Sequence, residues 1–298
     1  MNPEFTDFME NSCLALAREV PEIPTHMGMF EVAGEQVPQN YFTAIDADSM
    51  SQRQGLLKSI AKKLNRFPRE QLDTSEQLSA DILNFFVINV YERGLIGTAG
   101  EDFLKHEYLI RPSVGLQSDL PLFLSDLHPM RHAGDAEDYL SRLKSIASHL
   151  NEADGQIRQR QSAGFLPPAL VLQDSIGEIE KFISIQAQEN ILYTTLAEKS
   201  LKLQGLNEPA RKTLLDETSR ELNKNTYPAY RQLLASLQEQ LPQASDDPGV
   251  WRLPDGAAWY EFQLQAATTT SLNAAESTKW GWKKPTSWNR KSFTPAGI

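Results

Sequence analysis

Residues 135–168 read DAEDYLSRLKSIASHLNEADGQIRQRQSAGFLPP, and the spacing of their apolar side chains sets the architecture. Tyr139, Leu143, Ile146, Leu150, Ala153 and Ile157 recur every three or four residues, so all six share one face of a helix. Asp135 is placed to cap that helix and Gly164 to release it, because glycine tolerates the left-handed backbone that ends helices. Pro167 and Pro168 suit the first turn of a following helix, where proline's missing N–H is no loss. That helix is predicted through Ile176, Ile179 and Ile183 as far as Leu203.

Outward from this pair the same period recurs. Leu78, Ile82, Phe85, Phe86 and Val90 mark a helix opening at Thr74, with Gln77 completing a capping box, and stopping at Gly94. A further helical segment begins near Glu208-Pro209 and carries Leu214, Leu215, Leu222, Leu233, Leu234, Leu237 and Leu241. Pro228 should kink or break it, since its ring removes a donor and crowds the preceding turn. Helices also fit residues 2–19, 50–65 and 256–267. No run alternates with period two, so the fold class is mainly α, a multi-helix array. Two long connectors are predicted, residues 20–49 with Pro21, Pro24 and Pro38, and residues 95–134 with Pro112, Pro121 and Pro129.

The 298 residues are 40% hydrophobic, enough to exclude wholesale disorder, and the formal charge of −10 argues against a nucleic-acid binder. The lone cysteine, Cys13, excludes an internal disulfide and reads as a half-buried thiol in the first helix. The acidic first twenty residues do not make a signal peptide, and no apolar run reaches the ~20 residues of a membrane span. As written, the chain is expected to be soluble and cytoplasmic.

The last residues differ from the rest. From Ser277 to Ile298 there are five cations (Lys279, Lys283, Lys284, Arg290 and Lys291), no acid, and the tryptophans Trp280, Trp282 and Trp288. Of the 29 Lys and Arg, 24 therefore stand against all 39 acids in residues 1–276, a charge of −15 against +5 in the tail. The tail lacks hydrophobic periodicity, and Pro285 and Pro295 interrupt it. Two domains follow: 1–276, helical, and 277–298, a basic Trp-rich tail expected to be disordered.

Candidates for chemistry are few. His106-Glu107-Tyr108-Leu109-Ile110 falls one histidine short of the His-Glu-x-x-His zinc helix, because Ile110 occupies the second ligand position. His106 then reads as a surface or interface side chain. His128 and His132 have i, i+4 spacing, but Pro129 lies between them, and a turn before the Asp135 helix is the better reading. His26 and His149 are isolated in sequence. Hydroxyls of Thr268, Thr269 and Thr270 are expected to satisfy carbonyls at a helix end. No phosphate-binding glycine loop and no Gly-x-Ser-x-Gly elbow is present. No catalytic, cofactor-binding or metal residue is assigned.

Three motifs occur in order. They are Gln161-Ser162-Ala163-Gly164-Phe165-Leu166-Pro167-Pro168, Tyr227-Pro228-Ala229-Tyr230-Arg231-Gln232-Leu233, and Asp247-Pro248-Gly249-Val250-Trp251-Arg252-Leu253-Pro254-Asp255-Gly256 with Trp259-Tyr260 after it. Over residues 1–276 the chain resembles the bacterial domain-of-unknown-function family 885, whose members look like helical zinc peptidases related to the zincins. The resemblance implies a full-length protein of twice this length, with a zinc helix and a peptide substrate site completed by a C-terminal half. No zinc ligand carries over to any position here. What carries over is a helical N-terminal half that walls a cleft, with residues 251–270 nearest the remainder. On their own chemistry, Trp251, Trp259 and Tyr260 read as ordinary packing residues.

The resemblance also offers an origin for the tail. Back-translated with one nucleotide restored, residues 276–284 become Glu-Ile-His-Lys-Met-Gly-Leu-Glu-Glu, the kind of helix with which family members continue. The expected protein is then a truncated, frameshifted half of a zinc-dependent peptidase, inactive alone, with no cofactor of its own. It is expected to self-associate through a bared apolar face, and export of a full-length protein stays open. The alternative is a freestanding helical binding protein whose cationic Trp-rich tail docks an acidic partner or membrane surface.

Overall fold

The computed structural model describes residues 2–34, 40–85 and 106–282. The chain divides into two compact units, residues 1–249 and 250–298. Among the described residues every regular element is helical, so the chain is an all-α multi-helix array.

The first unit holds α1 (Pro3–Glu19), α2 (Glu22–Met27), α3 (Met29–Val32), α4 (Ala47–Leu64), α5 (Thr74–Ile82), α6 (Leu116–Leu122), α7 (Ala133–Ser162), α8 (Ala169–Ser184), α9 (Ile191–Ser200), α10 (Glu208–Glu221) and α11 (Tyr227–Gln240). Helix α7 is its spine, with α10 and α11 packed along it and α8 behind α11. All six residues of the predicted stripe, Tyr139 to Ile157, are buried. Each such aliphatic or aromatic side chain contributes about 1.5–3 kcal/mol of transfer free energy. The tyrosine hydroxyls taken into this core keep partners: Tyr139 Oη donates to Leu192 O at 2.8 Å and Tyr230 Oη to Gln117 O at 2.7 Å. A smaller cluster joins Phe5, Ile60, Leu64, Leu72 and Leu83 across α1, α4 and α5.

Several boundaries move for identifiable reasons. Helix α7 is capped by His132, not Asp135; Asp135 is the third residue of its capping box and accepts from His132 N at 3.0 Å. Helix α5 is likewise capped by Asp73 with Glu76, one residue ahead of the predicted Thr74–Gln77 pair. Glu76 also accepts from Asn2 N, which holds α5 so that Leu83 faces the small cluster. Leu78 and Ile82, predicted inward, are therefore 60% and 51% exposed. Phe86, Val90 and Gly94 lie outside the described residues. Cys13 is exposed, because α1 turns Phe5, Ser12 and Ala17 inward instead.

The helix predicted from Pro167 to Leu203 breaks at Ile185, where neither proline nor glycine marks the sequence. Tertiary partners make the break. Tyr227 Oη donates to the freed Ile185 O at 2.7 Å and accepts from buried Asn190 Nδ2 at 3.2 Å. Asn190 in turn caps α9 through Leu192 N. Pro228 acts as predicted but gently: a π-turn at Leu222–Thr226 absorbs the missing donor, and α11 resumes with proline in its first turn. The predicted connectors are partly helical, α2 and α3 in the first, and α6 with a π-turn at Phe123–Leu127 in the second.

Gly115, ahead of α6, has backbone any residue adopts (φ −158°), yet its space is closed. A Cβ there would lie 2.7 Å from Arg111 N and 2.9 Å from Arg111 O. Gly115→Ala is expected to cost about 1–3 kcal/mol, the usual range for overpacking against atoms that cannot rotate away. Urea unfolding reads it, and a midpoint equal to that of the parent chain would contradict it.

The second unit holds a turn at Val250–Arg252, α12 (Gly256–Thr268) and α13 (Ala274–Trp282). Asp255 and Thr269, both left-handed at φ 50° and 55°, bracket α12. Thr268 Oγ1 donates to Leu264 O at 2.7 Å, the carbonyl-satisfying role predicted for these threonines. Asn273 and Glu276 form a reciprocal cap that starts α13, which runs to Trp282, six residues into the tail. Residues 283–298 lie outside the described ones. Trp251 is 73% exposed and Tyr260 is exposed as well, so neither is the ordinary packing residue predicted.

Candidate functional site

The histidines singled out by sequence do not converge. His106 is buried, not superficial, with its ring edge-on to Phe165 at 4.8 Å. Glu107 is exposed and Ile110 belongs to the core. His26 Nδ1 meets Leu127 O at 2.9 Å, and His149 Nδ1 meets Ser145 O at 2.9 Å beside the Phe42 ring. His132 is the α7 cap. Among the described residues, no group of three His, Cys, Asp or Glu is placed to hold a metal ion.

The polar centre of the first unit was not singled out in sequence. Arg142 is fully buried in the α7 stripe and forms no ion pair with a described residue. Its Nε donates to Tyr41 O at 2.9 Å, one terminal nitrogen to His128 Nδ1 at 2.9 Å, and the other to Thr25 Oγ1 at 3.1 Å. The guanidinium carbon lies 4.6 Å from the Phe123 ring centre, a cation–π contact. Because arginine can only donate, His128 Nδ1 must accept, so Nε2 carries the proton and donates to Asp135 O at 2.8 Å. Burial, with Arg142 alongside, pushes His128 down to about 4. Burial also lowers Arg142 to about 10, against the pull of Glu22 and Asp138, so it stays charged at neutral pH. Three partners on three segments make this centre a clamp fastening Thr25, Tyr41 and His128 to α7. It has no solvent access for a substrate, so its chemistry is structural. The sequence signal was a lone arginine one turn after Tyr139 and one before Ile146.

Accessible chemistry lies elsewhere in the same unit. A surface groove of about 460 Å³ runs between α6 with its π-turn and the wall formed by α8 and the start of α9. Its floor is apolar, including Ile179, Phe182 and Tyr230, the last two rings 4.6 Å apart. Leu122 and Ile191 stand on its walls 48% and 50% exposed. At one end the Glu178 carboxylate accepts from Ser113 N at 2.9 Å, Gln117 Nε2 at 3.2 Å and Ser118 Oγ at 3.3 Å. Asp126 lies on the π-turn at the other end. The Ser118 hydroxyl is thus held by a carboxylate, and no histidine stands on the groove lining.

Among the described residues the chain is an all-α multi-helix array with a buried arginine clamp and a surface groove. The chain belongs to the family described as "Bacterial protein of unknown function (DUF885)", which matches residues 21–289. No curated protein matches it. Among solved structures it is similar to the "putative lipoprotein" from Colwellia psychrerythraea, with a TM-score of 0.78 at 17% identity. That match covers 94% of this chain and 48% of the other, so the chain spans about half the length of this neighbour. At this identity the likeness is one of fold.

Proposed function

We propose that the chain is the N-terminal helical half of a zinc-dependent peptidase-like protein of its family, walling a peptide cleft that a further half completes. The observation that carries this reading is the pairing of near-complete fold coverage of this chain with coverage of 48% of its neighbour. The described residues offer no donor set that fits zinc, so no step of hydrolysis is assigned to them. The chain alone is expected to hold no stoichiometric zinc and to cleave no peptide. No helix among the described residues is long and apolar enough to cross a membrane. The lipoprotein name of the neighbour agrees with export of a longer protein. The half-exposed apolar residues of α12 support self-association of the half alone.

Reading the genomic DNA past codon 276 in the alternative frame tests the proposal. An open frame continuing into a His-Glu-x-x-His helix supports it, and immediate stop codons overturn it. A second reading, a freestanding binding protein with a cationic tail, is favoured by α13 and by a family match that runs to residue 289. The two separate on deletion of residues 277–298. An out-of-frame tail should leave unfolding within about 1 kcal/mol of the parent, as surface changes do, whereas a selected tail should not.

A further inference from the structure

We propose that α1 and α4 form a docking face for a second copy of this chain, the copies meeting as a four-helix bundle with α1 of each on α4 of the other. The inference concerns association of this chain as it is and does not rest on the peptidase reading.

The two helices lie antiparallel. Phe8 and Phe67 stand with ring centres 5.3 Å apart where α1 begins and α4 ends, and Arg53 Nε lies 3.9 Å from the Glu19 carboxylate at the opposite end. Between them an open groove of about 500 Å³ has an apolar floor, in which Phe8, Leu56 and Phe67 are only partly buried against Ile60. Its walls carry opposite charge. Glu4 and Asp7 stand exposed on the α1 side, Lys63 and Arg66 on the α4 side. Among the described residues none of these four side chains makes an ion pair or a hydrogen bond, so both walls keep their charge for a partner.

This pattern is its own complement. A two-fold axis along the groove sets α1 of one copy over α4 of the other at the same level, as an isologous contact requires. Glu4 then faces Arg66 of the second copy, Asp7 faces Lys63, and Asn11 faces Ser59, with the same pairs repeated on the other seam. The two floors meet at the centre, where bundled helices bury their apolar positions, and their withdrawal from water is favourable in proportion to the area covered. A partner of one charge sign would satisfy one wall and be repelled by the other. The chain as a whole carries a charge of −10, which holds copies apart at random faces. Here acids and cations balance on separate walls, so attraction replaces that repulsion.

Light scattering after gel filtration of the full chain, over a concentration series, tests the proposal. A dimer that dissociates on dilution is expected. Glu4→Lys with Asp7→Lys makes both walls basic, and Lys63→Glu with Arg66→Glu makes both acidic. Either variant turns the charge pairs of both seams from attraction to repulsion and should weaken association by at least about tenfold, although each exposed pair is modest alone. Mixing the two variants in equal amounts should restore the dimer, because each supplies the charge that the other has lost. All four positions are exposed, so circular dichroism should stay unchanged. If lysine in the first turn of α1 weakens that helix, the α4 variant reads the seam by itself. A parent chain monomeric throughout, parental association in the α4 variant, or a mixture of folded variants that stays monomeric would each overturn the proposal. Self-association through α12 would show as the second of these outcomes, so the two faces are told apart.

Discussion

Replacing Arg142 with alanine is expected to destabilise the first unit by about 3–5 kcal/mol, because three acceptors, two of them on buried residues, lose their donor together and a large side chain leaves a cavity. Tyr41 O, His128 Nδ1 and Thr25 Oγ1 all accept from the guanidinium, and the acceptors on His128 and Thr25 belong to buried residues. The Phe123 ring loses its cation as well. Arg142→Lys should recover little, because one ammonium cannot reach three acceptors spread around a planar fork. Arg142→Met replaces much of the volume but none of the bonds, so it should fall between the parent and alanine. Urea unfolding of the three variants measures the order. An alanine variant within about 1 kcal/mol of the parent, the size of a surface change, would show that the clamp is dispensable.

Acid should weaken the same centre over a defined window. His128 is neutral in the fold because burial and Arg142 oppose its protonation, and its pKa falls from 6.5 to about 4. The Asp135 carbonyl and carboxylate favour the charged form, and Lys199 opposes it, without reversing the balance. Above pH 6.5 the imidazole is neutral in both folded and unfolded chains. Between 6.5 and 4 the unfolded chain takes up a proton that the folded chain refuses, so stability falls as pH falls. At about 1.4 kcal/mol per unit the loss across this window approaches about 3 kcal/mol. Protonation would also turn the acceptor of Arg142 into a second donor, placing two cations face to face. His128→Gln, whose side chain can accept and donate without titrating, is expected to remove this slope. The carboxylates titrate in both chains, so the difference between them isolates His128. Parallel stability curves from pH 6.5 to 4 would refute the assignment.

The helical class of this protein was fixed by local chemistry. Tyr139 to Ile157 share one helix face whatever lies opposite, and burying that face is the strongest force acting on the segment. Gly164 and the two prolines after it bound the helix through backbone sterics alone, which need no partner. The three motifs around residues 161, 227 and 247 marked the family for the same reason: they record sequence, not contacts. Partner-dependent features were not legible. The break at Ile185 exists because Tyr227, forty-two residues away, satisfies the freed carbonyl. The exposure of Leu78 and Ile82 follows from Glu76 reaching Asn2 N. The role of Arg142 exists only because Tyr41, His128 and Thr25, on three distant segments, converge on it. The groove is likewise made by elements some sixty residues apart, as Glu178 and Ser118 show. Periodicity and backbone preference act within a few residues and could be read in order. Hydrogen bonds that close over distant segments depend on which faces meet, and only the tertiary structure decides that.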